Sequence, residues 1–219
     1  MHPREIARYS ARVALIVLML HVTGGTLRGQ VWSQADSAAI QSGLPIARDL
    51  ISGTAAAQLG FTDPSNQLPQ IVLGDPLPGR MVNLAALRGY DASQDPDPLL
   101  VTTGRIAYPM MVSGVTLSAI TVAEVTPGGY QVVSIGAPNL YRAVDSIRTV
   151  AGGSPTDYSV VSVPALKVLF IGRVVAGEWS LTPVFSDNRF GFVAGVAILA
   201  RTALEAMVTA AIAHDGLPH

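Results

Sequence analysis

The fold class follows from residues 105–135, RIAYPMMVSGVTLSAITVAEVTPGGYQVVSI. Three stretches rich in β-branched and aromatic residues are separated here by two short turns, at residues 113–114 and 127–129. Turns this short join antiparallel strands, because a parallel connection needs roughly a dozen residues or more. Pro109 interrupts the first stretch, which predicts a sheet edge or a bulge at that point. The segment therefore predicts an antiparallel meander of three strands.

A helix follows this meander, and the same order of elements then recurs. Asn139 is a candidate N-cap for a helix that ends near Val150. Three more strand-like stretches follow, and Ala200–His214 shows the apolar spacing of a helix. The two segments, 105–150 and 158–214, predict a βββα repeat or, with equal support, two ordinary meanders that each precede a helix.

An N-terminal helix is predicted before the sheet, over residues 47–59. Pro45 marks its start, since the missing N–H costs little in a first turn, and Gly60 marks its end. Its apolar stripe consists of Leu50, Ile51, Ala55 and Leu59. Together these elements predict an α+β domain, with antiparallel meanders and helices packed on one face of the sheet.

The C-terminal helix has the clearest amphipathic pattern in the chain. Its predicted buried stripe consists of Leu204, Met207, Val208, Ala211 and Ile212. Arg201 and Glu205 are four residues apart on the remaining surface, so we expect them to form an ion pair.

Residues 1–25 have the pattern of a secretory signal peptide. A basic start is followed by the apolar run VALIVLML at residues 13–20 and by small residues at 23–25. A run of this length is roughly half of the ~20 apolar residues that cross a bilayer, which disfavours the alternative of a retained membrane anchor. The basic start consists of Arg4, Arg8 and Arg12.

Removal of this leader would leave a linker over residues 26–34 and a single domain over 35–219. We therefore expect a secreted or periplasmic protein with no stable membrane span after cleavage. Thirteen arginines against one lysine indicate GC-rich coding, which is typical of many bacteria.

The charge of the predicted mature chain limits its partners. Residues 31–219 have a formal net charge of −4. A weakly acidic domain with one lysine lacks the basic surface that nucleic acids and anionic lipids require. An unidentified protein or small molecule is the expected partner.

The distribution of histidine and cysteine excludes several kinds of chemistry. The chain contains no cysteine, and its four histidines lie in the predicted leader or near the C-terminus, at His2, His21, His214 and His219. A core without either residue cannot build a Ser-His-Asp or Cys-His site or a zinc site of ordinary composition. Its glycines form no phosphate-binding motif, so no cofactor is predicted.

Asp91, Asp95 and Asp97 form the one cluster that could bind a metal. Three carboxylates on one loop are a calcium candidate, because calcium prefers hard oxygen ligands. The spacing lacks the turn glycine and the downstream glutamate of an EF-hand, so we favour the alternative that these residues form Asx-turns.

Three functional hypotheses remain open. The absence of core His, Cys and cofactor motifs favours an exported, non-catalytic binding or interaction domain. The first alternative is a hydrolase that uses the loop aspartates. The second is a protease inhibitor or prodomain-like module, because Gln131–Gly136, QVVSIG, resembles the Q-x-V-x-G hairpin of cystatin-type inhibitors. The segment departs from that motif by one additional residue before the glycine and by its place along a predicted strand that ends at Gly136, so we favour a plain strand here.

Cleavage of the leader is directly measurable. Mass spectrometry of the protein purified from its native exported fraction should give a first residue between about 25 and 36, since small residues suitable for cleavage lie at Gly24, Gly25 and Ala35. Recovery of a chain that begins at Met1 would contradict export by a cleaved signal peptide.

Overall fold

The computed structural model describes residues 34–127 and 129–214. The predicted leader, residues 26–33 of the linker and the turn residue Gly128 lie outside the described residues. The α-helices in the described part are α1 (Gln34–Ser52), α2 (Pro64–Gln67), α3 (Leu84–Arg88), α4 (Pro138–Ala151) and α5 (Ala200–Ala213). None of these is both long enough and apolar enough to cross a bilayer.

Nine strands in the described part form one sheet. They are β1 (Val72–Leu73), β2 (Leu77–Val82), β3 (Leu100–Val112), β4 (Val115–Thr126), β5 (Gly129–Gly136), β6 (Ser159–Val163), β7 (Val168–Val175), β8 (Glu178–Pro183) and β9 (Ile198–Leu199). Their order is β5-β4-β3-β2-β6-β7-β8-β9, and β1 pairs with β3. The pairing of β2 with β6 is parallel and the other pairings are antiparallel. The α+β class is confirmed, as are the antiparallel meanders and the N-terminal helix.

Two tight hairpin turns set the register of the meanders. Ser113 and Gly114, between β3 and β4, have φ angles of 50° and 79°. Ala176 and Gly177, between β7 and β8, have φ angles of 51° and 86°. Two successive residues at positive φ are typical of the type I′ turn, whose twist matches that of the strands it joins.

Both faces of the sheet are covered near its centre. Tyr108 packs with Ile51 of α1, whereas its neighbour Ala107 packs with Val144 of α4. Because successive side chains of a strand point to opposite faces, α1 and α4 lie on opposite faces of the sheet. The continuous burial of residues 107–110 in β3 has the same cause.

The second meander shows which face α5 occupies. Val161 of β6 packs in one cluster with Leu87 of α3 and Leu204 of α5, whereas Val160 packs against the α4 cluster. The prediction that the helices pack on one face therefore holds for α1, α3 and α5. It was wrong for α4, which covers the opposite face. The first meander has the predicted βββα order, whereas in the second the additional short strand β9 precedes α5. The helices of the two meanders also lie on different faces.

The predicted bounds of the N-terminal helix were wrong. The helix begins before Pro45, which lies inside it, and ends before Gly53. Leu50, expected in the stripe, is 42% exposed. Pro45 points to solvent. Because proline has no N–H, the carbonyl four residues before it loses its helical hydrogen bond, and on the exposed face water can take the place of that donor. The buried positions are Ala39, Ile40, Gly43, Ala47 and Ile51.

The expected cap of α4 was also misplaced. The N-cap is Ala137, in the left-handed region at φ 58° and ψ 49°, and it makes no side-chain capping bond. Asn139, the predicted cap, is already the second helical residue. Pro138 occupies the first helical position, where its fixed φ favours helix initiation.

Most of the buried stripe predicted for the C-terminal helix, α5, is confirmed, but one of its residues is exposed. Leu204, Met207 and Ala211 are fully buried, whereas Ile212 is 62% exposed. One residue beyond Ala211 is a rotation of about 100° around the helix, which turns Ile212 away from the sheet. Arg201 pairs with Glu178 of β8 and not with Glu205, because β8 lies alongside the start of the helix.

Two substitutions in α5 test how firmly it is docked. Leu204→Ala should destabilise the domain by roughly 2–5 kcal/mol, because it loses apolar burial and leaves a cavity. Ile212→Ala is the matched control on the same helix and should cost about 0.5 kcal/mol or less, since its side chain is mostly exposed. Urea melts measure both values, and equal midpoints for the two variants would contradict the docking of α5.

Candidate functional site

A groove of about 650 Å³ lies on the face of the sheet that α4 covers. It runs between the N-terminal end of α4 and strand β6. Its apolar lining residues include Leu77, Ala107, Leu140, Val160 and Pro164. Hydroxyl groups line it as well, from Thr103, Thr121, Ser134, Tyr141 and Ser162. The groove therefore combines an apolar surface with several uncharged polar groups.

The floor of the groove is one row of residues across four strands. Leu77 of β2 lies opposite Ala107 of β3, Ala107 opposite Thr121 of β4, and Thr121 opposite Ser134 of β5. Directly opposed residues share a face, and neighbouring strands are about 4.8 Å apart, so the row is about 14 Å long. It is apolar at the Leu77 end and carries hydroxyl groups at the Ser134 end.

A bulge in β3 forms one end of the groove. Pro78 pairs with Ile106 and Arg80 with Thr102, so one residue of β2, Gly79, lies opposite three residues of β3, 103–105. The Thr103 hydroxyl donates to the Gly79 carbonyl at 3.0 Å and accepts from the Arg105 N–H at 3.3 Å. These two bonds give partners to one backbone carbonyl and one backbone N–H at the bulge.

The bulge leaves no room for a side chain at position 79, so glycine is required there. A Cβ atom on Gly79 would lie 2.6 Å from Oγ1 of Thr103 and 3.2 Å from the carbonyl oxygen of Arg105. Any larger residue would displace the bulge and the side chains that it presents to the groove.

A second bulge lies at the other end of the floor, next to Tyr141. Thr121 pairs with Ser134 and Val122 with Val132, which leaves Val133 as an extra residue of β5. The Tyr141 hydroxyl lies 3.4 Å from the Thr121 hydroxyl. Burial raises the pKa of Tyr141 above its usual value, although the Thr121 hydrogen bond opposes this shift. Tyr141 therefore presents a neutral hydroxyl group.

Two arginines line the groove, and only one has a free guanidinium. Arg80 turns to the opposite face, where Nη1 donates to the Leu100 carbonyl at 2.9 Å and Cζ lies 4.8 Å from the Trp179 ring centre. Arg105 is exposed, and its guanidinium makes no hydrogen bond or ion pair with any described residue. The described lining contains no Asp, Glu, His or Cys. Arg105 thus gives the groove a net positive charge.

The sequence-predicted aspartates lie away from this groove, in exposed turns. Asp91 accepts the Ser93 N–H at 2.8 Å, and Asp95 accepts the Asp97 N–H at 3.0 Å, which are the expected Asx-turn bonds. The Ser93 hydroxyl also lowers the pKa of Asp91 through a hydrogen bond. Within residues 34–127 and 129–214, no three His, Cys, Asp or Glu side chains are grouped as metal ligands.

A second pocket, of about 630 Å³, lies beside these turns on the opposite face. It is lined by Asp95, Asp97, Glu178 and Trp179, among others. Asp97 accepts the Trp179 indole N–H at 2.7 Å, and Glu178 is ion-paired with Arg201. Two of its three carboxylates are therefore held by protein groups.

The segment Gln131–Gly136 lies along β5 and not at a hairpin tip. β5 pairs only with β4 in the described part of the chain and forms one edge of the sheet. The geometry therefore differs from the hairpin loop that the resemblance to cystatin-type inhibitors implies.

Sequence reasoning missed the groove residues, because tertiary pairing assembles them. Thr103, Arg105, Ser134 and Tyr141 come from three separate elements, and the predicted first strand began only at Arg105. One signal was available in the sequence: Gly104 lies between strand-forming residues, and a glycine inside a strand often marks a bulge. In the structure Gly104 has a φ of 66°.

No family model, curated protein or solved structure matches this chain. The assignment of function therefore rests on the site itself.

The loop aspartates are tested by melts with and without a chelator. We expect thermal melts in EGTA, in a thiol reductant and in plain buffer to superimpose, because the chain contains no cysteine and the carboxylates are engaged in local turns. A drop in Tm in EGTA that calcium reverses, and that Asp95→Asn abolishes, would instead establish a calcium site in this loop.

Proposed function

We propose that this protein is an exported, non-catalytic binding domain that holds a small amphipathic molecule in the groove beside α4. The observation that carries the proposal is the groove itself, with its apolar and hydroxyl lining. Its volume falls in the range of about 300–1,000 Å³ that is common for small-molecule sites. Export rests on the leader pattern of residues 1–25.

The chemistry of the lining favours binding over catalysis. A serine or threonine hydroxyl becomes a useful nucleophile only beside a general base. The described lining offers no histidine, carboxylate or thiol for that role. Burial raises the pKa of the Tyr141 hydroxyl, so this group stays protonated at neutral pH, where it can donate a hydrogen bond but cannot act as a base. These groups suit recognition of a polar ligand atom.

The pocket around Trp179 favours a second candidate, a carboxylate-dependent hydrolase. It brings Asp95, Asp97 and Glu178 to one concavity. We rank it second because Asp97 is bonded to Trp179 and Glu178 to Arg201, so neither carboxylate is free to act as an acid or a base. All three carboxylates are also exposed, whereas a raised catalytic pKa usually needs burial.

Filling the groove should abolish ligand binding. Ser134 is exposed and lies at the end of the floor, so Ser134→Trp should place an indole in the groove without disturbing the core. The neutral fluorescent probe N-phenyl-1-naphthylamine should bind the wild-type protein saturably. We expect its affinity to fall by about tenfold or more in Ser134→Trp, which corresponds to at least about 1.4 kcal/mol.

Val115→Trp provides the matched control for this experiment. Val115 is the first residue of β4, is 55% exposed and does not line the groove. This variant should bind the probe like the wild type. Equal binding by all three proteins would show that the probe occupies another site, and no saturable binding by the wild type would contradict the proposed function.

A further inference from the structure

We infer that the ligand of the groove is an amphipathic molecule with a single oxyanion headgroup, which Arg105 binds. This inference rests on the proposed function and specifies its ligand class. It follows from three features of the described groove: its one free cation, its lack of acidic groups and the position of its apolar residues.

Arg105 is the charged group that a ligand in the groove would meet. Arg105 is exposed and lines the groove, and its guanidinium has no hydrogen-bond or ion-pair partner among the described residues. The fixed geometry of a guanidinium matches two oxygen atoms of a carboxylate, sulfate or phosphate group. With one cation available and no other charged side chain directed into the described groove, one negative charge is the complement.

The bulge of β3 holds Arg105 in this position. The Arg105 N–H is bonded to the Thr103 hydroxyl, and Thr103 is in turn bonded to Gly79. A Cβ on Gly79 would also contact the Cβ of Arg105 at 3.4 Å. On its other side Arg105 pairs with Ala123 of β4. The backbone that carries the cation is therefore held by both neighbouring strands, while its guanidinium has no partner among the described residues.

An apolar surface begins a short distance from this cation. Ala107 is two residues from Arg105 on the same strand, which is a distance of about 7 Å, and it points to the same face. Leu77 lies directly opposite Ala107, and Val160 and Leu140 line the same groove. A ligand whose headgroup contacts Arg105 would therefore place its hydrocarbon part over these residues.

Long-range electrostatic attraction would not bring an anionic ligand to the groove. Residues 31–219 have a formal net charge of −4, so the long-range field of the domain repels anions. Affinity for an oxyanion must then come from a local contact, and within the groove Arg105 is the residue that can supply one.

The test compares three ligands with the same ten-carbon chain: sodium decanoate, decan-1-ol and decyltrimethylammonium. Isothermal titration calorimetry on the full chain, below the micellar range, should show decanoate binding about tenfold tighter than the alcohol, as expected for one charge-assisted contact. The ammonium compound should bind more weakly than the alcohol. Arg105→Gln should reduce decanoate affinity to that of the alcohol and leave alcohol binding unchanged.

Arg48→Gln is the matched control for loss of a positive charge. Arg48 is an exposed arginine of α1 that does not line the groove, so its replacement should leave the order of the three ligands intact. Equal affinity for decanoate and decanol, or unchanged decanoate affinity in Arg105→Gln, would overturn the inference while the proposed function stands. If none of the three ligands binds the wild-type protein, both fail.

Discussion

The two halves of the sheet are joined by three consecutive residue pairs, from Gly79–Val160 to Met81–Ser162, between the parallel strands β2 and β6. We call this ladder the seam. Parallel neighbours cannot be joined by a tight turn, and here the chain between them contains a whole meander and α4. The groove lies on the seam, since Gly79, Met81, Val160 and Ser162 all line it. The shape of the groove therefore depends on contacts between residues about 80 positions apart in the sequence.

Side chains on the opposite face reinforce the seam. Arg80 stacks on Trp179 of β8 and donates to the Leu100 carbonyl of β3, so one side chain of β2 contacts both meanders. Asp97 holds the Trp179 indole in place by accepting its N–H. A loop aspartate that resembles a metal ligand in the sequence thus has a supporting role in the sheet. An arginine stacked on an indole gains both cation–π attraction and burial of its aliphatic part.

Local patterns predicted the elements but not their assembly. The hairpin turn at Gly114 is set by local sequence, and it was predicted correctly along with the strands beside it. The first helix was misjudged because the packing of Ile40 and Ile51 on the sheet outweighs the preference of Pro45 for a first turn.

The candidate site shows the same difference between local elements, which the sequence predicts, and their assembly, which it does not. Arg105 and Tyr141 lie 36 positions apart and share the groove only through the register of β3, β4 and β5 and the placement of α4. The β4–β5 register contains a bulge, and so does the neighbouring β2–β3 register, and alternation of apolar and polar residues reveals neither. The sequence pattern pointed instead to the aspartates of residues 91–97, because charged loop residues are conspicuous without tertiary information.

The bulge at Val133 also affects self-association of the protein at high concentration. β5 is an edge of the sheet, and the edge of a sheet offers unpaired backbone groups to which a second chain can add. Its register with β4 shifts at Val133 and again between Glu124 and Thr126 of the partner strand. A regular strand from another molecule could not follow such an interrupted edge for more than a few residues. The distortion that shapes the groove therefore also opposes edge-to-edge aggregation.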